Sequence, residues 1–261
     1  MRCASIKPLE IRTNHSTNRN RQVSDTTTPI EERGYANPEL LVSTSWLTEH
    51  IDDPNVRVVD CNFAGGFEDG HIPGAAQPEN NWYKSADNKT FIAPPAEFER
   101  MMSVLGISNS STVIAYDSDH NHLAPRLFWA LRYYGHENVK VLDGGYAAWA
   151  AENRPIESGA NSVASGSFKA TPHPELIALR EEILSAIGSD DTLFWDVRTD
   201  EEWTGENDRG TAQGGHLPGA THLEWKSLIT EDGVPVFKSS GEIMSLLNSV
   251  GVTQDKNIVP Y

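Results

Sequence analysis

The sequence predicts an α/β protein built as two tandem parallel-sheet domains, the second of them incomplete. Three observations carry this reading. Short β-branched runs alternate with stretches of helical apolar spacing, the pattern of a mostly parallel sheet covered by helices. A Ser-, Gly- and Pro-containing stretch at 153–170 interrupts the alternation, which then restarts. Blocks of the first half recur in the second in a single register.

The elements follow in chain order. Ser43-Thr44-Ser45 ahead of Trp46 reads as a capped helix that stops before Pro54. Residues 56–60 form a β-branched strand ending in Asp60. Phe98, Met101, Met102 and Leu105 recur at helical spacing over 94–105, with Gly106 as the stop. A strand over 112–116 leads into a turn and a helix over 117–134, with Leu123, Leu127, Ala130, Leu131 and Tyr134 on one face. A strand at 139–142, a turn at Gly144-Gly145 and a helix at 146–152 complete the first domain, 36–152. Residues 153–170 are read as a linker. The second domain, 171–261, holds a helix over 174–187, a strand at 193–197, a helix near 242–250 and a strand at 257–261. Residues 1–35 read as a disordered basic tail, since 1–24 carry Arg2, Lys7, Arg12, Arg19 and Arg21 against Glu10 alone. An Arg- and Ser-rich leader of this kind also fits an organelle import segment, although its helical amphipathicity is weak.

Composition narrows the function classes. No apolar run approaches the ~20 residues of a membrane span, and the N-terminus lacks the apolar core of a secretory signal. Two cysteines, Cys3 and Cys61, are too few for a disulfide framework or a cysteine zinc cluster. Lys and Arg number 21 against 37 Asp and Glu, a formal charge of −16 that repels nucleic acid and anionic membranes. The expectation is a cytoplasmic protein with neither nucleic-acid nor membrane partners.

The repeat is the strongest signal. Gly70-His71-Ile72-Pro73-Gly74-Ala75 returns as Gly215-His216-Leu217-Pro218-Gly219-Ala220, 145 positions on. Leu105-Gly106-Ile107 and Val113-Ile114-Ala115-Tyr116 return at the same offset as Val250-Gly251-Val252 and Ile258-Val259-Pro260-Tyr261. Upstream, Val58-Val59-Asp60 answers Phe194-Trp195-Asp196, with a longer loop in the second copy. The first copy runs on to Trp149, which shifted by 145 falls at 294, so about 33 positions of the second copy are expected past Tyr261.

With Asp196-x-Arg198, Glu201-Glu202-Trp203-Thr204-Gly205, the two Gly-His-x-Pro-Gly-Ala turns and Leu142-Asp143-Gly144-Gly145-Tyr146, the chain from about Leu40 to Tyr261 resembles the tandem-domain rhodaneses, the thiosulfate and 3-mercaptopyruvate sulfurtransferases. The resemblance implies rhodanese-like domains that move sulfane sulfur through a cysteine persulfide. The donor is a small sulfur anion and the acceptor cyanide or a thiol, without metal or cofactor. Helix-terminal amides and a nearby cation are what such a thiolate needs. The family cysteine directly follows the strand, where the first half has Asp117, and the resemblance makes that half the inactive type. In the second half the position follows Tyr261, so this polypeptide is expected to have no activity, as a fragment of an active parent.

Site candidates follow from chemistry. Arg209, in the long loop, and Arg198 are the candidate contacts for an anionic donor, Arg209 the better placed of the two, though a solvated arginine is an equal reading. Arg198 and Glu202, four apart, are expected to form an ion pair within one turn. Asp60 and Asp196 end strands as supporting groups. His71 and His216 occur in both copies, which points to loop packing. Cys61 is expected to be a buried inert thiol. Two alternatives stand beside sulfur transfer. One is a non-catalytic rhodanese-like binding module, with an apolar gap expected beside Ile258 and Val259. The other is a haloacid-dehalogenase-like phosphatase using Asp117 and Asp119 with magnesium.

Overall fold

The computed structural model describes residues 28–63, 66–79, 84 and 92–261. In the first half, β1 (Leu41–Val42), β2 (Val56–Asp60), β3 (Thr112–Tyr116) and β4 (Val139–Leu142) lie in the order β1-β4-β3-β2. All neighbours are parallel, with Val58 opposite Ile114 and Ala115 opposite Val141. Strand β3 shows why helices are needed on both sides. Val113 and Ala115 enter one apolar cluster with Phe98 and Met102 of α2 (Pro95–Val104) and Leu127 and Leu131 of α3 (Ala124–Tyr133). Ile114 and Tyr116 enter the other, with Leu47 of α1 (Thr44–His50) and Trp149 of α4 (Gly145–Ala151). Alternate side chains of a pleated strand point to opposite faces, and both faces here are apolar.

The second half repeats the plan with β5 (Thr192–Asp196), β6 (Thr221–His222) and β7 (Asn257–Pro260) in the order β6-β5-β7, again parallel. The parallel bridge between Val59 and Ala76 is the first-half counterpart of the pairing of Trp195 with Thr221. Phe194 and Val252 are buried, whereas α5 (Arg180–Ala186) and α7 (Ser240–Ser249) carry no buried side chain. Ile258 and Val259 are half-buried. Among the described residues no helix is long and apolar enough to cross a membrane.

Several expectations are corrected. Residues 28–35 of the tail predicted to be disordered over 1–35 are ordered, because Ile30 is buried and Arg33 is drawn into a buried ion pair. Residues 1–27, including Cys3, lie outside the described residues. The helix expected over 174–187 is broken into a 3-10 turn at Pro174–Leu176 and α5. Ile177 between them is extended, and the Glu182 carboxylate reaches back 2.7 Å to accept from the Leu179 N–H, which starts the helix late. Pro38-Glu39-Leu40 forms the same turn before β1, so the break is part of the repeat. The 153–170 stretch has no helix but is no loose spacer. Phe168 is buried against Phe98, and the Gly166 N–H donates 2.7 Å to the Ser103 carbonyl. A Cβ at Gly166 would lie 2.2 Å from the Ile107 carbonyl oxygen, so only glycine fits that close approach. The two-residue strands β1 and β6 and the five-residue α6 (Asp200–Thr204) were too short to show any periodicity.

One buried cluster joins the halves. Arg33 Nη1 donates to Asp143 Oδ2 at 2.6 Å and to the Phe237 carbonyl at 3.0 Å. Asp143 Oδ1 accepts from the Phe237 N–H at 3.0 Å, and the Tyr35 hydroxyl donates to the Lys238 carbonyl. Asp143 follows β4, where β1 and β4 end side by side.

Candidate functional site

The strand-end carboxylates found in the repeat anchor the same network twice. Asp60 Oδ2 accepts from the Tyr116 hydroxyl at 2.9 Å, and that hydroxyl accepts from the Ile72 N–H at 3.2 Å. In the second half Tyr261 hydrogen-bonds Asp196 and accepts from the Leu217 N–H at 3.0 Å. Each network ties the end of one strand to the Gly-His-x-Pro-Gly-Ala turn beside it. Burial, with Asp60 close by, pushes the Tyr116 phenol well up, so it stays a donor. The histidines of those turns play matching parts. His71 stacks on Phe67 and donates through Nδ1 to its carbonyl at 2.8 Å, while His216 stacks on Trp203 and donates to its carbonyl at 3.0 Å.

Asp117 fills the loop after β3. It is 1% exposed, and its carboxylate accepts four backbone N–H groups: those of Asp119 (2.9 Å) and Asn121 (3.0 Å) on Oδ1, and those of Leu123 (2.8 Å) and Ala124 (2.7 Å) on Oδ2. The loop is thus an anion cradle at the start of α3 that holds its own side chain. The phosphatase alternative is overturned here, since a nucleophile with both oxygens committed to amides has no approach to substrate.

Two clefts open at the C-terminal strand ends, where parallel α/β sheets place their ligands. The first, of about 570 Å³, lies over β2 and β3 and includes Asp60, Asp69 and Asp119 with no Lys or Arg among the described residues that line it. The second, of about 530 Å³, lies between the halves at the ends of β5 and β7. Arg126, Arg198, Arg209 and Lys226 line it against Asp119, Glu202 and Glu224. Tyr261 and Trp225 supply its apolar wall.

The expected Arg198–Glu202 pair does not form. Arg198 instead grips Asp196 through Nε (3.0 Å) and Nη2 (2.5 Å), and Nη2 also donates to the Gly215 carbonyl at 2.8 Å. Its guanidinium sits 5.3 Å from the centre of the Tyr261 ring. The reason is local: Thr199 caps α6, so Arg198 precedes the helix and the four-residue helical spacing does not apply to it. Glu202 closes the capping box with Thr199 and lies 3.6 Å from Arg209 Nε, whose side chain is 68% exposed and whose φ is +51°. Sequence reasoning missed Arg126, Lys226 and Trp225, which approach the cleft from elements far apart in the chain. It also missed the two tyrosines, although the repeat printed both.

Burial alone would push Asp196 up, but the hydrogen bonds and charge of Arg198 outweigh it and hold the carboxyl below the usual carboxylate range. A depressed native value means stabilisation that is present above the unfolded value near 3.9 and is lost as pH falls through it toward the native one. Asp196→Asn is therefore expected to cost about 2 kcal/mol at pH 7. The gap to the unchanged protein, followed by urea unfolding, should shrink below about pH 4.

Cys61 is fully buried, and burial together with Asp117 and Asp60 pushes its thiol well above the ordinary range. It is no stand-in for a reactive cysteine. With Cys3 replaced by alanine, Ellman's reagent at pH 8 should find no thiol in the native protein and one after denaturation; a native reaction would contradict this burial.

Comparison with known proteins agrees with the geometry. The family profile of the rhodanese-like domain matches residues 43–152. The sulfur carrier protein TtuD of Thermus thermophilus is 35% identical over 243 residues, spanning 87% of this chain and 84% of the relative. The thiosulfate sulfurtransferase of Azotobacter vinelandii is 29% identical over 229 residues, spanning 87% and 83%. Among solved structures, SseA of Escherichia coli, described as a 3-mercaptopyruvate sulfotransferase of rhodanese fold, superposes with a TM-score of 0.76 at 28% identity, over 85% of this chain and 87% of that one. Doubled parallel sheets, a doubled Asp–Tyr–turn network and relatives matched along most of their length place this chain in the tandem-domain rhodanese family.

Proposed function

We propose that the chain serves sulfur transfer of the rhodanese type, and that the cleft between the halves is where a small anionic sulfur donor binds. The observation that carries this is the contrast between two clefts at repeat-equivalent positions. One is lined by carboxylates without Lys or Arg among the described residues, while the other presents four cationic side chains, of which Arg198, Arg209 and Lys226 are paired with Asp196, Glu202 and Glu224. A thiosulfate dianion or the carboxylate of mercaptopyruvate is repelled by the first and attracted by the second. The relatives named for thiosulfate and 3-mercaptopyruvate chemistry support those donor classes.

The reaction asks for one thiolate at the mouth of β7, the register position that Asp117 holds after β3. With thiosulfate, the thiolate attacks the outer sulfur, a new S–S bond forms, and the old S–S bond breaks to release sulfite with its electron pair. Cyanide then attacks the outer sulfur of the persulfide, leaving thiocyanate and the original thiolate. Arg198, held on Asp196 beside Tyr261, and Arg209 above it would hold the sulfonate oxygens during the first step. A cytoplasmic setting, with cyanide or a thiol as acceptor, completes the proposal.

Isothermal titration of thiosulfate tests it. Arg209→Gln and Arg198→Gln should each weaken binding by about tenfold, the effect of one lost charge-assisted contact. Asp69→Asn in the first cleft should change nothing. In the cyanide–thiosulfate assay the 261-residue polypeptide is expected to give no thiocyanate, because its cysteines are Cys3 and the buried Cys61. Thiocyanate formed by this polypeptide would overturn that, and its loss in Cys3→Ala or in Cys61→Ser would name the thiol responsible.

A further inference from the structure

The loop that carries Asp117 also reaches across to the other half. Asp117 pins its amides, and two consecutive left-handed residues, His120 (φ +57°) and Asn121 (φ +59°), turn the backbone outward. Asparagine and histidine both tolerate that conformation better than most residues, and the amides pinned on Asp117 hold the backbone there. Asn121 Nδ2 then donates to the Pro235 carbonyl at 3.2 Å, and the His122 ring stacks on Trp225 with centroids 4.7 Å apart and planes 13° from parallel. Both contacts join the first half to the second. Asp119 and His122 consequently stand on the ridge between the two clefts and line both.

The polar atoms of that ridge form a short relay. His122 Nδ1 lies 3.0 Å from Asp119 Oδ2, and its Nε2 lies 3.3 Å from Arg126 Nη2. A carboxylate only accepts, so Nδ1 carries the proton and Nε2 presents a lone pair to the guanidinium. The stack on Trp225 fixes the plane of the imidazole and hence the direction of that lone pair. Arg126, in the first turn of α3, lines the cleft between the halves and not the first cleft.

We propose that Arg126, oriented through His122 on Asp119, is a donor-binding side chain that the first half contributes to the cleft of the second. The inference rests on the reading of that cleft given above and adds a positioning relay to it. The loop whose register position bears the sulfur carrier in an active domain is, in this half, a wall of its neighbour's site. The ligand chemistry is that of a small oxyanion, the sulfonate of thiosulfate or the carboxylate of mercaptopyruvate, met by a planar guanidinium.

Calorimetric titration of thiosulfate and of mercaptopyruvate into the full chain tests the assignment. Arg126→Gln should weaken binding of either donor about tenfold. His122→Phe keeps the aromatic stack on Trp225 but removes both ring nitrogens, and should weaken binding about threefold to fivefold with an unchanged urea midpoint. Because His122 acts through Arg126, the double variant should bind no worse than Arg126→Gln alone. Additive losses would overturn the relay, and binding unaffected by either change would overturn the contribution of the first half. If the unchanged chain binds neither donor, the reading of the cleft falls and this assignment with it. An effect confined to one donor would assign Arg126 to that donor class.

Discussion

Replacing Asp117 with alanine is expected to destabilise the first half by about 4 kcal/mol, because four buried backbone N–H groups lose their acceptor at once. An orphaned buried donor costs about 1–3 kcal/mol, and water entering the space left by the carboxylate would recover part of the sum. Asp117→Asn is the informative control. Its carbonyl oxygen can serve one pair of amides, but its NH₂ then faces the other pair, donor against donor. Asparagine should therefore cost nearly as much as alanine despite having the same shape. Urea unfolding followed by circular dichroism measures both, and a tolerated asparagine would show that the carboxylate charge does not hold this loop. In this geometry the amide cradle after β3 is occupied by the chain's own carboxylate.

Asp143→Ala is expected to be comparably damaging, at about 3–5 kcal/mol, for a different reason. It leaves the Arg33 guanidinium buried beside the Phe237 carbonyl without its counter-charge and deprives the Phe237 N–H of its acceptor. Burial pushes the Asp143 carboxyl up, with Arg33 opposing the shift, so the ion pair is already costly to desolvate. The pair therefore contributes more to the geometry of the junction than to net stability. Removing both charges together, as Arg33→Met with Asp143→Leu, should cost less than removing Asp143 alone, which a double-mutant cycle measures. Donor affinity should fall in the single variant as well, since Phe237 also lines the cleft between the halves.

How much of this was legible in the chain depends on what kind of signal each feature leaves. The strands and helices of the first half are long enough for periodicity to mark them, and β3 shows this clearly, with both faces apolar and a carboxylate directly after it. The repeat made Asp60 and Asp196 visible as equivalent strand ends and His71 and His216 as equivalent turn residues. Its spacing also set Tyr116 and Tyr261 in one register, but that each hydroxyl bridges a carboxylate and a turn is a property of the folded chain alone. Arg198 was matched to the wrong carboxylate because spacing rules hold inside helices, and Thr199 starts the helix one residue later. Arg33 sits in a stretch whose composition reads as disordered, and its order comes from a partner 110 residues away. The charge contrast between the clefts was likewise hidden, for the cations converge from α3, the segments on either side of α6 and the 3-10 turn at Trp225–Leu228.

The central claim is that a donor anion enters the cleft between the halves and not the acid-lined cleft of the first half. Amide chemical-shift mapping of the full chain during a thiosulfate titration tests it most directly. Saturable shifts are predicted at Arg198, Thr199, Trp225 and Lys226, with Asn62, Phe67 and Gly70 unmoved. Saturable shifts at Asn62, Phe67 and Gly70, or no saturable shift at any of these residues, would contradict the account.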